Sequence, residues 1–358
     1  MSYALAALGF VVLILLHEAG HFAAAKAVGM RVERFSLFFG PLLVKKRIGE
    51  TDYGIGPIPL GGYVKISGMN PHEELPPEAA HRAYYRQPVW KRVVVIAAGP
   101  AVNLVLAFLI LGGLFLHFGE TKATTRVGQV ETKAPAAAAL RPGDKIVSVD
   151  GRRGGMDTLR AAIGRHHCPG GVQRDGCLAA TPATVVVRRD GQPRTFHIRP
   201  RYDAAAGRPL LGFSFAGRTV PVDVGRAAAL SGQEIGDISG RTLGVFARIF
   251  QAKERKQVSS VVGGYKATQA RFAVSVSQAL YVLAIISLSL GLINLFPFLP
   301  LDGGHIFWAL AEKVRGRPIP FSVLERASAV GFALVLMVFA IGLTNDIGHL
   351  ANGDFSAR

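Results

Sequence analysis

The chain has 358 residues, 50% of them hydrophobic, and 41 Lys and Arg against 24 Asp and Glu give a net charge of +17. This apolar fraction and a mean hydropathy of +0.31 exclude an ordinary soluble protein. Because many basic residues flank the apolar runs, attraction to anionic lipid headgroups explains the charge more simply than nucleic acid binding does. We therefore predict the lipid bilayer, and no nucleic acid, as a partner.

The first apolar segment, within residues 1–33, contains His17, Glu18 and His21. On a helix, His17 and His21 lie one turn apart on the same face, the spacing at which two imidazoles reach one zinc ion. Glu18 is next to the first of them, so its carboxylate is placed to take a proton from an attacking water. Ionisable groups are costly to bury in a membrane-length apolar segment, which favours an H-E-x-x-H metal site over a pair of satisfied core histidines.

Residues 34–92 have a different composition. Short β-favouring runs alternate there with Gly and Pro, which predicts small hairpins followed by a polar connector. An open sheet edge accepts an extended peptide as an added strand; the alternative is an ordinary loop that covers the helix ends. His72 and His81 in the connector are interpreted as solvated side chains.

The second apolar segment, 93–119, includes Gly99, Pro100 and Asn103. Small residues allow close packing of helices, and an Asn in a membrane helix can hydrogen-bond to its neighbour. Asn103 is therefore expected to hydrogen-bond across to a neighbouring helix.

Residues 120–203 predict a separate water-soluble domain. The stretch 127–151 reads as strand, short helix, turn and strand, a helix fits 157–165, and Asp190-Gly191 is a strong hairpin signal. This order resembles the bacterial PDZ domain, an α+β fold. The resemblance implies that the domain binds a chain end or an extended peptide by strand addition.

Both cysteines, Cys168 and Cys177, fall within this domain, in a segment that looks like an insertion. Outside the membrane, an oxidising compartment permits a disulfide between them, which we predict. Two free thiols, and a metal site that includes His166 and His167, are the alternatives. Residues 204–274 predict a linker with an amphipathic helix at 224–250 on the outer membrane surface.

The third apolar segment, 275–304, carries Asn294 and Asp302. A catalytic zinc site needs a third protein ligand and keeps its fourth position open, and Asp302 is the candidate for that ligand. Taken alone, Asp302 before two glycines is also typical of a turn or a helix cap. Asn294 alone is typical of a polar group bonded to nearby backbone.

Together these stretches resemble the site-2 proteases, a family of intramembrane zinc metalloproteases, in its bacterial regulator-of-sigma-E-protease type with one PDZ domain. The hallmark pair of the family is H-E-x-x-H and Asn-x-x-Pro-x-x-x-x-Asp-Gly, found here as His17 to His21 and Asn294 to Gly303. The resemblance covers nearly the whole chain and includes Phe39-Gly40-Pro41, Pro59-Leu60-Gly61-Gly62-Tyr63-Val64 and Gly99-Pro100-Ala101-Val102-Asn103.

The resemblance implies a Zn²⁺ cofactor held by His17, His21 and Asp302, with Glu18 as the catalytic base and Asn294 supporting the substrate or the developing oxyanion. In the family the second membrane helix packs against the zinc-bearing one, which implies that Asn103 supports the site structurally rather than reacting. It implies single-pass transmembrane substrates, already shortened on the outer side by a site-1 protease, such as anti-sigma factors and signal-peptide remnants in regulated intramembrane proteolysis. An ion- or proton-coupled transporter is the first alternative, although the sequence shows no internal repeat. A non-catalytic PDZ-bearing scaffold is the second, and it would have no use for Glu18.

The predicted fold is an α-helical polytopic membrane protein with about four transmembrane helices, a cytoplasmic membrane-associated β-hairpin region and an inserted extracytoplasmic PDZ domain. The positive-inside rule places 34–92 and 305–326 in the cytoplasm of a cell-membrane protein, with both termini outside and the zinc site towards the cytoplasm. The predicted segments are 1–33, 93–119, 275–304 and 327–343 as transmembrane helices, 34–92, 204–274 and 305–326 as connections, 120–203 as the PDZ domain, and 344–358 as a tail.

Overall fold

The computed structural model describes residues 2–70, 72–204, 206–247 and 275–352. The chain forms two compact units. The first combines Met1–Leu116 with Asp223–Arg358, and the second is His117–Val222. We describe each unit by itself.

Four helices of the first unit are long and apolar enough to cross a membrane, so the chain is a multi-pass membrane protein with a β-rich portion. Their length follows from long, predominantly apolar runs, because a helix satisfies its backbone hydrogen bonds within itself as the bilayer core requires. The helices of this unit are α1 (Ser2–Ala27), α2 (Pro77–Ala80), α3 (Val89–Phe118), α5 (Val224–Ala247), α6 (Val276–Asn294), α7 (Asp302–Arg315) and α8 (Phe321–Asn352).

The third predicted transmembrane helix, 275–304, is shorter in the structure. Helix α6 ends at Asn294, and a separate helix α7 begins at Asp302, inside what was predicted as span and loop. Pro297 and Pro300 lie between them, and proline lacks the N–H that would continue the helical ladder. The break gives Asp302 a helix start of its own. The last helix is longer than the predicted 327–343 at both ends.

Glycines set the close approach of the membrane helices. A Cβ at Gly20 of α1 would lie 2.7 Å from the Ala98 carbonyl oxygen of α3, and one at Gly291 of α6 would lie 3.1 Å from the Pro100 carbonyl oxygen. Lipid offers no hydrophobic drive between helices, so contacts of this kind carry the packing. Helices α1 and α6 therefore both lie against α3 near residues 98–104.

The segment after α1 forms a four-stranded sheet with the order β2-β3-β1-β4. Its strands are β1 (Val32–Phe39), β2 (Val44–Ile48), β3 (Thr51–Ile55) and β4 (Ile58–Ile66). Strand β1 pairs with β3 in parallel and with β4 antiparallel, so the region is more than the predicted hairpins. Among the described strands, β4 is an edge strand of this sheet.

The sheet is anchored to the starts and ends of the helices. Met30, Val32 and Ile66 form one buried cluster with Val95 and Ile96 of α3. Helix α7 is joined to α3 by a bidentate ion pair between Arg92, 9% exposed in its side chain, and Glu312, 24% exposed. Removing one partner of a buried pair costs about 3–5 kcal/mol, and the figure is lower here because Glu312 keeps contact with solvent.

The second unit contains a five-stranded sheet with the order β11-β5-β6-β7-β8. Its elements are β5 (Glu120–Val130), β6 (Lys145–Val149), α4 (Met156–Ile163), β7 (Ala183–Arg189), β8 (Gln192–Ile198), β9 (Arg201–Asp203), β10 (Arg208–Leu210) and β11 (Phe213–Val220). The predicted hairpin turn is present, with positive φ at Asp190 and Gly191. Strand β11 lies beyond the predicted boundary at residue 203, yet it pairs along the full length of β5.

Two further predictions concern a disulfide within this unit and an amphipathic helix after it. Cys168 and Cys177 are joined by a disulfide, with Cα atoms 6.1 Å apart. The amphipathic helix predicted at 224–250 corresponds to α5, and residues 248–274 lie outside the described residues. Tyr281 of α6 donates a hydrogen bond to Glu234 of α5, which ties α5 to a membrane helix.

Candidate metal centre

Helix α1 brings two imidazoles and one carboxylate to the same place. His17 and His21 lie one turn apart, their rings meet edge to face at 4.9 Å, and their Nε2 atoms are 3.3 Å apart. Both side chains are buried, each residue being 7% exposed. The helical period alone produces this pairing, because residues four apart share a face.

Asp302 joins them from the start of α7. Its Oδ2 lies 3.3 Å from the Nε2 atom of His17 and 3.3 Å from that of His21. The two following glycines make this position reachable. A Cβ at Gly303 would collide with the Leu295 carbonyl, and one at Gly304 with the Phe298 and Leu299 backbone. Two residues without side chains thus let α7 begin directly against the loop that follows α6.

The three ligand atoms fit a tetrahedral zinc ion. With zinc–nitrogen and zinc–oxygen bonds of about 2.0–2.2 Å, the ligand atoms of a tetrahedron are about 3.3–3.6 Å apart. The three separations here are all 3.3 Å. Neither approach to Asp302 has hydrogen-bond geometry, so its buried Oδ2 has no hydrogen-bond partner among the described residues. A buried carboxylate oxygen is costly without a partner, and a cation at the centre of this triangle would supply one.

His21 is held in the tautomer that suits metal binding. Its Nδ1–H donates to the Val95 carbonyl oxygen of α3 at 2.9 Å, which leaves the lone pair on Nε2. Gly99 lies one turn after Val95 on the same face, and a Cβ there would collide with the imidazole ring. The absence of a side chain at Gly99 therefore opens the path from the ring to the carbonyl.

Asn103, fully buried in α3, contacts the other histidine. Its side-chain Nδ2 lies 3.1 Å from His17 Nδ1, and its Oδ1 has no hydrogen-bond partner among the described residues. Its own backbone carbonyl accepts a hydrogen bond from the Ser287 hydroxyl of α6. The helix that carries Asn103 is thus fixed on one side by α1 and on the other by α6.

A cavity of about 500 Å³ opens beside the three ligands, a size within the usual range of 300–1,000 Å³ for ligand pockets. Glu18 lines it, together with Asn294 and residues Gly61 to Val64 of the edge strand β4. A Cβ at Gly62 would collide with the Glu18 side chain. The edge strand and the carboxylate are therefore in immediate proximity.

The structure brings together the predicted site residues His17, Glu18, His21, Asn294 and Asp302, with Asn103 behind them. His72 lines a neighbouring cavity instead, and His166 bonds to Asp150 and Thr181 within the second unit. His305 was not among the predicted site residues, yet it lines the cavity three residues after Asp302 on the same helix. Its spacing of three from Asp302 was a usable signal, because residues three apart share a helix face. The Val95 carbonyl was also missed, and a backbone group leaves no signal in a sequence.

The chain is similar to known zinc metalloproteases. The family model described as peptidase family M50 matches residues 5–338. The zinc metalloproteases Rip1 of Mycobacterium bovis and Mycobacterium tuberculosis are 32% identical, over 95% of this chain and 96% of theirs. A putative zinc metalloprotease of Brucella suis is 32% identical, over 94% of this chain and 92% of its own length.

The family match covers most of the chain, and the relatives are matched along nearly their whole length. The donor set of two imidazoles and a carboxylate is one that zinc prefers. The chain therefore belongs to peptidase family M50, the site-2 protease family, and is a zinc metalloprotease of the membrane with Zn²⁺ as its cofactor.

Proposed function

We propose that this protease hydrolyses a peptide bond within or near the transmembrane segment of single-pass membrane proteins. The observation that carries the proposal is the cavity in which Glu18, Asn294, Asp302 and the edge strand β4 meet. Glu18 and Asn294 lie on helices long enough to cross a membrane. A protease site built into such helices is accessible to chains that are themselves in the bilayer. In this proposal His17, His21 and Asp302 hold the zinc.

The ligands, Glu18 and Asn294 have different roles in the reaction. A zinc ion held by His17, His21 and Asp302 would supply Lewis-acid chemistry, which polarises a carbonyl and activates water. Glu18 accepts the proton of the attacking water and later returns a proton to the leaving amine, for which its place beside His17 is suited. Asn294, at the last turn of α6, directs amide donors towards the developing oxyanion.

Strand β4 holds the substrate in an extended form. It is the edge of the described sheet, and its residues Gly61 to Val64 border the cavity. A transmembrane helix hides its carbonyls in its own hydrogen bonds, so it must unwind before attack. Pairing with β4 replaces the hydrogen bonds that unwinding removes. Gly62 is required because any side chain there would displace Glu18.

Asn103 fixes the tautomer of His17. Zinc binding through Nε2 requires a proton on Nδ1, and this proton needs an acceptor. Asn103 Nδ2 faces the ring in the structure, and a rotation of the amide by 180° places Oδ1 there as the acceptor. The rotated amide also gives a partner to Oδ1, which otherwise has none among the described residues. Asn103 is thus a positioning residue, which acts through His17.

The second unit serves as a PDZ-like module that reads the substrate end. Strand β11 is an edge strand of its sheet, and Arg160 of α4 lies over the ring of Phe215 at 5.6 Å. In this proposal an extended peptide adds as a strand to the free edge of β11, beside α4. Substrates are anti-sigma factors or signal-peptide remnants trimmed by a site-1 protease, with this unit and both termini outside the cell membrane. The basic residues of 34–92 support that orientation.

The test uses proteoliposomes that contain the protease and a model single-pass protein. Mass spectrometry should locate the cleavage within or next to the transmembrane segment, and Gly or Pro introduced near that bond should increase the rate. A matched reaction with Glu18→Gln should give no product. Cleavage confined to water-exposed parts of the substrate would overturn the proposal.

A further inference from the structure

A groove of the second unit is lined by three cations and no anion. It measures about 430 Å³, and its lining includes Lys133, Arg199 and Arg201. In the described part of the chain, none of the three takes part in an ion pair. Arg199 donates to the Ala179 and Ala180 carbonyls, and Arg201 to the Lys133 carbonyl, so both guanidiniums are held by neutral groups. No carboxylate among the described residues neutralises their positive charge.

The floor and rim of the same groove are apolar. Ala134, Ala138 and Ala139 form a shallow floor, and Leu178 at the rim is 52% exposed. Small side chains leave room above them, and an exposed leucine beside that room offers contact to one apolar side chain. The groove therefore combines an apolar surface with positive charge around it.

The disulfide loop builds one wall of the groove. Leu178 follows Cys177 directly and is bridged to Arg201, and the Ala179 N–H donates to the Pro200 carbonyl. The disulfide to Cys168 closes the loop that precedes this wall. The segment between the cysteines thus holds Leu178 beside the cations.

The groove is separate from the proposed strand-addition site. None of its lining residues belongs to β11 or α4. It lies instead at the end of β8, the opposite edge strand of the sheet order. Two ligands could occupy the two places at once.

We propose that this groove, named here the Lys133 groove, binds an acidic peptide segment in which carboxylates flank a small apolar side chain. The charge pattern matches such a chain, because carboxylates can pair with Lys133, Arg199 and Arg201 while the apolar residue contacts Leu178. A concavity of this size admits a short chain segment, whereas a bilayer surface is flat. The unit as a whole has seventeen Lys and Arg against eight Asp and Glu, which favours encounter with acidic partners.

The test measures fluorescence anisotropy of labelled peptides with the full-length Glu18→Gln protein in detergent, in which cleavage is blocked. The probes are a peptide of alternating Glu and Ala and the same peptide with Gln for Glu. The acidic peptide should bind at least about tenfold more tightly, and added salt should weaken it because the cations are solvent-accessible. Equal binding of both peptides, or no binding, would overturn the proposal.

Two matched variants locate the binding. Lys133→Glu should weaken the acidic peptide by about tenfold. Arg194→Glu makes the same charge change on β8, at an exposed residue outside the groove, and should change binding by less than about threefold. Equal losses in both variants would show a general charge effect and refute the groove.

A cysteine variant and a lipid arm complete the test. Cys168→Ser with Cys177→Ser should weaken the acidic peptide while zinc content stays unchanged. Phosphatidylglycerol vesicles should bind the native protein and Lys133→Glu equally. If Lys133→Glu instead abolished vesicle binding without affecting the peptide, the groove would be a lipid site. Because no cleavage is measured, failure here is distinct from failure of the proposed protease function.

Discussion

Gly99→Ala should sharply weaken zinc binding although it adds a single methyl group. The new Cβ would lie 2.7 and 2.8 Å from two ring carbons of His21, whereas carbon atoms in contact are normally about 3.5–4.0 Å apart. The ring must move away, and its hydrogen bond to the Val95 carbonyl is lost. Loss of such an outer contact typically lowers metal affinity by about 10–100-fold, which is the effect we expect.

The matched control is Gly113→Ala in the same helix. A Cβ at Gly113 meets no atom within 4 Å, so only helix propensity changes. Alanine in place of glycine favours a helix by about 1 kcal/mol, and both variants gain this equally. Zinc affinity is measured by competition with a chromogenic chelator on purified protein. Native affinity in Gly99→Ala, or an equal loss in Gly113→Ala, would refute the geometry of His21.

Three further predictions concern other contacts. Asn103→Leu should lower zinc affinity by about 10–100-fold, whereas Asn103→Asp should keep it because a carboxylate still accepts the imidazole N–H; equal affinity of the two would contradict a tautomer role. Gly62→Ala should lower kcat/KM by about 100-fold with zinc retained, since the methyl displaces Glu18; coupled loss of metal would point to unfolding instead. Arg189 lowers the pKa of Asp144 below its usual 3.8, so their ion pair stabilises the second unit above that pH and is lost as the pH falls through the lowered pKa. Hydrogen exchange in the full chain should show this acid-dependent opening in the native protein and not in Asp144→Asn, and identical profiles would contradict it.

Local patterns in the sequence predicted what depends on local geometry. The spacing of His17 and His21 fixes their common helix face, and Asp190-Gly191 specifies its turn, because both depend on neighbouring residues only. Asp302 was predicted as the third zinc ligand from the paired motifs of the resembled family. Local patterns could not predict it, because the sequence between residues 21 and 302 does not show how close these two residues lie in space.

One local feature and two long-range features were not predicted. The local one is the end of the third membrane helix: because the apolar run continues past Asn294, the predicted span included Pro297 and the start of the new helix at Asp302. Strand β11 pairs with β5 across about ninety residues of sequence, and its own composition does not reveal this partner. The parallel pairing of β1 with β3 is of the same kind. Tertiary contact decides both strand pairings, and a single sequence does not record it.

The central claim is that His17, His21 and Asp302 hold a zinc ion and that Glu18 is the base. The most direct measurement is zinc content together with cleavage of a single-pass substrate, in the native protein, Glu18→Gln and Asp302→Asn. The account predicts one zinc per chain and no cleavage for Glu18→Gln, and loss of both zinc and cleavage for Asp302→Asn. Cleavage that survives Glu18→Gln, or full zinc content in Asp302→Asn, would contradict it.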